Sequence, residues 1–155
     1  MKKYELTEET VTVYGKTLYR IRAVRDFGSV KTGEFGGYIE KEENLSHFGN
    51  AWISGDARVF GDARVSGNAR VFGNAEVFNT RHFFVQGPIG SRDGYVTFYR
   101  TKDDTVEVRC GCFSGSLQEF VNQVEETHGG SRYEKEYKLA AELAKVCIRL
   151  EGESR

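Results

Sequence analysis

The sequence predicts a β-rich mixed α/β fold built around a short parallel β-helix. Three observations predict it. Residues 49–78, "GNAWISGDARVFGDARVSGNARVFGNAEVF", repeat one six-residue phrase five times: Gly, Asn or Asp, Ala, a variable residue, Val or Ile, then Phe or Ser. Gly is frequent at 18 residues while Pro occurs once, which suits a chain with many tight corners rather than a disordered linker. Finally, β-rich arms precede the repeat and amphipathic helical patterns follow it.

Taken in order, residues 1–30 read as an N-terminal β-hairpin. "VTVYGKTLYRIRAV" places two β-rich arms around Gly15-Lys16, a two-residue loop. Tyr19, Ile21 and Ala23 alternate with Arg20 and Arg22, one face apolar and one basic. Residues 31–87 read as the β-helix, about three coils of about 18 residues each. Within "ARVFGN", alternation sends Ala and Val inward and Arg and Phe outward, and Gly-Asn makes the corner, since both tolerate positive φ. An 18-residue stack sets Ile53 over Val71, Val59 over Val77, Arg58 near Glu76 and Trp52 near Arg70, with Ile39 and Leu45 under Ala57 and Ala63. The register breaks at Arg81, so the regular coil ends near residue 80.

Residues 88–155 change character. "GYVTFYRTKDDTVEVRCGCF" reads as a C-terminal β-hairpin turning at Lys102-Asp103-Asp104. "SLQEFVNQVEETHGG" is a helix with a Ser116/Glu119 capping box, a stop at Gly129 and a stripe of Leu117, Phe120, Val121 and Val124. A second helix in "SRYEKEYKLAAELAKVCIRL" aligns Tyr133, Tyr137, Ala140, Leu143, Ala144, Cys147 and Ile148 roughly on one face. This region is too small for a good core of its own, and is expected to pack on the coil or on a neighbouring subunit.

A net charge of −1 gives no bulk field toward nucleic acid or membrane, so neither DNA, RNA nor a membrane is an expected partner. No apolar run reaches membrane-spanning length. The N-terminus lacks the apolar core of a secretory signal. Three cysteines, an odd number, suit a reducing cytoplasm.

"RAVRDFGSVKTGEFGGYIEKEENLSHFGNAWI" followed by "GDARV" hexads resembles bacterial left-handed β-helix proteins with hexapeptide repeats, often labelled transferases, and small phage and prophage proteins that share this opening. The likeness covers roughly residues 18–80. "IGSRDGYVTFYRT" and "RCGCFSGSLQEF" resemble the ends of small phage proteins. The resemblance implies a left-handed coil, a homotrimer or a multiple of three, and the cytoplasm of a bacterial host. The transferase label is an analogy from fold, and fold does not fix function.

Candidate functional residues fall into three groups. His47 and His82, at the start and end of the repeat, are the candidate bases of a hexapeptide-repeat acyltransferase, which would need an orienting partner and a coenzyme A channel. Cys110 and Cys112 alternate on a strand, and with His128 they stand one ligand short of a closed zinc site, so no metal and no cofactor is expected. The outward row of the repeat carries Trp52, Arg58, Arg64, Arg70 and Glu76, with Phe60, Phe72 and Phe78 beside it. That much outward aromatic area must be covered by the N-terminal hairpin, the C-terminal helices, a sister chain or a ligand. Arg with aromatics suits a phosphate-bearing, ring-bearing ligand. The ligand-binding set is therefore Trp52, Arg58, Arg64, Arg70, Phe72 and His82, joined by Ser91 and Arg92 of the "GSRDG" loop. No complete catalytic set is present. The leading expectation is a non-enzymatic oligomeric binding protein, phage or prophage encoded, holding a nucleotide-type signal of host defence at subunit interfaces. The alternatives are an acyltransferase and a structural or protein-interaction module.

Overall fold

A computed structural model describes residues 2–152. The chain forms two compact units, Met1–Thr80 and Arg81–Arg155.

The first unit begins with strands β1 (Tyr4–Val13) and β2 (Lys16–Ala23), an antiparallel pair. Val13 pairs with Lys16, so the turn is Tyr14-Gly15, one residue earlier than the sequence suggested. Both residues have positive φ, 50° and 77°, the geometry whose twist matches two-residue hairpins. Tyr19 was expected among the inward residues of β2, but it is half-buried and Leu18 is fully buried instead. Irregularities in the ladders, between Leu6 and Thr10 and between Arg20 and Arg22, let the strand change face there.

The hexads do not build the three-coil left-handed β-helix that the sequence led us to expect. They form two-residue strands: β4 (Trp52–Ile53), β5 (Arg58–Val59), β6 (Arg70–Val71) and β7 (Glu76–Val77). These are divided between two sheets. β5 and β7 extend a mixed five-stranded sheet of order β1-β2-β3-β5-β7, in which β3 is Phe35–Ile39, and β4 pairs with β6 alone. Among the described residues, no sheet closes or runs on as a solenoid. The reason is length. Five hexads are fewer than two 18-residue circuits, so each parallel ladder is only two or three strands wide. At residue 83 the chain leaves for an antiparallel sheet. The register also differs at the start. Ile39 pairs with Val59 and Leu45 with Val65, not with Ala57 and Ala63. The two extra residues lie between Leu45 and Ile53, which are eight residues apart where their partners Val65 and Val71 are six apart, and they follow a single 3₁₀ turn at Glu42–Asn44. The buried Asn44 amide locks it, accepting from Glu40 and Lys41 N–H and donating to the carbonyls of Gly61 and Ala63.

The inward chemistry of the hexads nevertheless holds. Ala51, Ala57, Ala63, Ala69 and Ala75, with Ile53, Val59, Val65, Val71 and Val77, are buried. The corners at Gly55, Gly61, Gly67 and Gly73 all have φ between 62° and 66°. Small and β-branched side chains fill a narrow interior that leaves no room elsewhere. A Cβ on Gly37 would lie 2.5 Å from the Ala57 carbonyl and 2.7 Å from Ile53 Cγ2.

The second unit is more than a hairpin with two helices. Strands β8 (Phe83–Ile89), β9 (Gly94–Arg100), β10 (Val106–Cys110) and β11 (Phe113–Ser116) form an antiparallel sheet in the order β11-β10-β9-β8. The sequence hid β8 because "RHFFV" follows directly on the repeat, and hid β11 because Gly111-Cys112 is a turn rather than mid-strand. Helices α1 (Leu117–His128) and α2 (Arg132–Cys147) complete the unit. Ser116 caps α1: its Oγ accepts from the Glu119 N–H at 3.1 Å and its own N–H donates to the Glu119 carboxylate at 2.8 Å. Val96, Phe98, Val108, Phe120, Val124, Ala140, Ala141, Ala144 and Ile148 make a core of its own, which corrects the expectation that this region must borrow one. Among the described residues no helix is long and apolar enough to cross a membrane.

Gly37→Ala is therefore expected to cost about 2–3 kcal/mol, because backbone and Ile53 must shift to admit the methyl group. Gly73→Ala, with open space around it and only the positive φ against it, should cost about 1 kcal/mol. Urea unfolding of the two variants checks the ranking.

Candidate functional site

The outward row of the repeat is largely spent on the protein's own packing. Trp52 is only 5% exposed. The Phe27–Val30 turn lies over it: Phe27 meets the indole edge-on at 5.3 Å, and Ser29 Oγ accepts from Arg70 Nη2 at 2.7 Å. Phe60 is 2% exposed and stacks on Phe78 at 5.0 Å, with Val13, Leu18, Tyr38 and the Tyr14 ring packed around the pair. The Tyr14 hydroxyl donates to the buried Glu76 carboxylate at 3.0 Å. Arg58 is half-buried in β5 between Tyr38 and Glu76, and Phe72 is half-buried. Arg64 and Arg70 remain exposed.

The basic face of β2 is absorbed in the same way. Arg20 lies over the Tyr38 ring and donates to the Gly36 carbonyl at 2.7 Å, to Glu9 at 2.9 Å and to the Tyr38 hydroxyl at 2.6 Å.

His47 sits in a cluster that the sequence did not reveal. Its Nδ1 accepts from the Lys3 backbone N–H at 3.0 Å, so the proton is on Nε2, which donates to Glu42 Oε1 at 2.8 Å. The ring stacks on Tyr4 at 4.1 Å. Tyr4, buried, donates its hydroxyl to the carbonyls of Leu45 and Glu42. Beside it, the fully buried Lys3 donates to the Ala51 carbonyl at 2.7 Å and lies 4.7 Å from the Phe27 ring centroid. Burial, and then the neighbouring Arg25 charge, bring the Lys3 ammonium down to about 8. A lysine directly ahead of a strand reads as solvated, which is why no sequence signal marked it.

The remaining predicted residues lie in the second unit. His82 is fully buried and bonds Glu151 through Nε2 at 2.9 Å. Burial pushes its imidazole down, against the pull of Glu151. Nearby, Asp104 accepts from Arg100 Nε and from the N–H groups of Glu151 and Gly152, each at 2.8 Å. Burial works against ionisation there, but these donors prevail and hold the Asp104 carboxyl at about 2. The cluster ties the C-terminal segment to the sheet. Ser91 and Arg92 are exposed at the other end of β8, roughly 20 Å from His82 along the strand.

Ser91 lines an open cleft of about 500 Å³ with Pro88, Ile89, Gly90, Asp93, Arg132, Tyr133 and Glu136. Glu136 shapes it by accepting the Gly90 N–H at 2.7 Å. Gly90 has no room for a side chain, since a Cβ would sit 1.8 Å from the Tyr137 hydroxyl. Arg132, Tyr133 and Glu136 were not among the site residues picked from the sequence, where Tyr133 reads as part of the apolar face of α2.

The cysteines do not share a strand face, because the Gly111-Cys112 turn separates Cys110 from the next strand residue, Phe113. Burial raises the Cys110 thiol, opposed by a hydrogen bond with Tyr137. His128 packs on the rings of Tyr133 and Tyr137. Among the described residues no group of His, Cys, Asp and Glu is placed to hold a metal ion. No known family model matches the chain, and no curated protein matches it.

Because Asp104 ionises below its ordinary 3.8, its contribution is present above that value and is lost as the pH falls from about 4 to about 2. Asp104→Asn, which tolerates the positive φ of 60° at this position, should lower stability at neutral pH by about 2 kcal/mol and flatten the acid limb between those values. Thermal unfolding across the acid range measures both effects.

Proposed function

We propose that the protein is a non-enzymatic binding protein that holds a small, ring-bearing anionic ligand, with the cleft of the second unit as its site. The observation that supports this most is the commitment of the two candidate bases. Both ring nitrogens of His47 are engaged, by Lys3 and Glu42, and His82 is buried against Glu151. General-base catalysis needs a ring nitrogen within reach of the substrate proton. The cleft, by contrast, offers binding chemistry: Arg132 and Tyr133 of α2 and Ser91 of the loop after β8 are among the residues that line it, at a volume suited to a small molecule. Arg92, exposed and next to Ser91 in the chain, is not among the residues that line the cleft.

A nucleotide is the ligand class that this chemistry favours. The likeness to small phage proteins adds a setting, sequestration of a nucleotide signal of host defence, which is part of the proposal. The outward row Trp52, Arg58, Arg64, Arg70 and Phe72 supports the reading less than the sequence suggested, since Trp52 already has a cover in Phe27.

Equilibrium dialysis against a panel of cyclic nucleotides and ADP-ribose tests the reading. One member should be retained and recovered intact, and Arg132→Ala should weaken it at least ~tenfold, the loss of a charge-assisted contact. Failure of every member to bind, a cleaved ligand, or binding indifferent to Arg132→Ala contradicts it. Acetyl transfer from acetyl-coenzyme A that is abolished by His47→Ala would favour the acyltransferase instead.

A further inference from the structure

Helix α2 is apolar on two opposite faces. Ala140, Ala141, Ala144 and the following Ile148 face the core of the second unit. Leu139, Leu143 and Val146, at i, i+4 and i+7, fall on the other side and are 70%, 46% and 70% exposed. Leu143 thus lies away from the core face to which the sequence pattern assigned it. Beside this stripe, Glu142 and Lys145 form a solvent-exposed pair at 3.2 Å.

We propose that this face pairs with α2 of a second copy of the chain, the two helices running antiparallel about a two-fold axis near Leu143. The pattern is self-complementary in that arrangement. Leu143 meets the partner's Leu143, and Leu139 meets the partner's Val146 on either side of the axis, so every apolar position is used. The charges select the same arrangement. Antiparallel packing sets Glu142 by the partner's Lys145 and Lys145 by the partner's Glu142. In a parallel pair the two copies of this flank lie on opposite sides of the seam, so Glu142 would not meet the partner's Lys145.

A lipid surface fits less well. α2 carries Arg132, Lys135, Lys138 and Lys145 against Glu134, Glu136 and Glu142, a near balance where a membrane-surface helix needs a basic polar face. The stripe offers on the order of 300 Å² of apolar surface per copy, against ~800 Å² for a standard interface, so the pair forms and dissociates with concentration. The trimer that the resemblance implies belongs to a coil that does not form, whereas this contact uses only α2. It is independent of the ligand reading above.

Sedimentation equilibrium of the full chain from low to high micromolar concentration tests the proposal. The mass should move from one chain to two. Leu139→Glu and Val146→Glu, both at exposed positions, should weaken association at least ~tenfold while leaving the unfolding midpoint in place. Glu142→Lys alone and Lys145→Glu alone should each weaken it, and the double reversal should restore it. A one-chain mass throughout, a three-chain mass, association indifferent to Leu139→Glu, a double reversal that does not restore it, or a monomer that sediments with anionic vesicles through this stripe would each overturn the proposal.

Discussion

The burial of Phe60 under the N-terminal hairpin is the contact on which the first unit depends. The hexads have an interior of alanine and valine with the single isoleucine Ile53, too thin to supply much hydrophobic stabilisation by itself. The outward ring of Phe60 supplies the missing area, but only if something covers it. Val13 and Leu18 of the hairpin, with Tyr38 of β3, do so, and Tyr14 closes over the Phe60–Phe78 stack. The same logic repeats a few residues away, where Phe27 covers Trp52. What looks from the sequence like a surface waiting for a ligand is the seam along which the two halves of the unit are joined.

This explains what could be read in advance and what could not. The inward positions were legible because Ala and Val at a six-residue period have only one compact use, and all ten are buried. Pairings such as Trp52 with Arg70 and Arg58 with Glu76 were legible for the same reason. The closed coil was not, because periodicity gives the step between strands but not the number of circuits needed to sustain a solenoid. The displaced partners of Ile39 and Leu45 depend on two extra residues between Leu45 and Ile53, a local insertion without a periodic signature. In the second unit the Ser116/Glu119 box marked the start of α1, since a cap is a short-range feature. β8 was lost because its residues continue the aromatic run of the repeat.

The candidate site was legible only in part, for a related reason. Ser91 was noticed through the Gly-Ser-Arg composition of its loop, yet its neighbours in the cleft, Arg132, Tyr133 and Glu136, come from a helix some forty residues on. His47 and His82 were noticed as histidines, but their partners are a backbone N–H at residue 3 and a carboxylate at residue 151. Chemical identity is local, whereas the commitments that decide whether a ring nitrogen is free are set by chain folding. Both polar clusters do similar structural work: each fastens a terminal segment to a sheet by hydrogen bonds to charged groups, the stronger kind in a poorly hydrated setting.

If the aromatic seam is what holds the first unit, the hairpin and the hexads must open together. Native-state amide hydrogen exchange reads this directly. The amides of Leu18 and Ile21 in β2, and those of Ser54, Arg58 and Phe60, which donate to Val71, Ala75 and Val77, should exchange with one common opening free energy. Hairpin amides that exchange orders of magnitude faster, while the hexad amides stay protected, would contradict the account and return Phe60 and Phe78 to the surface.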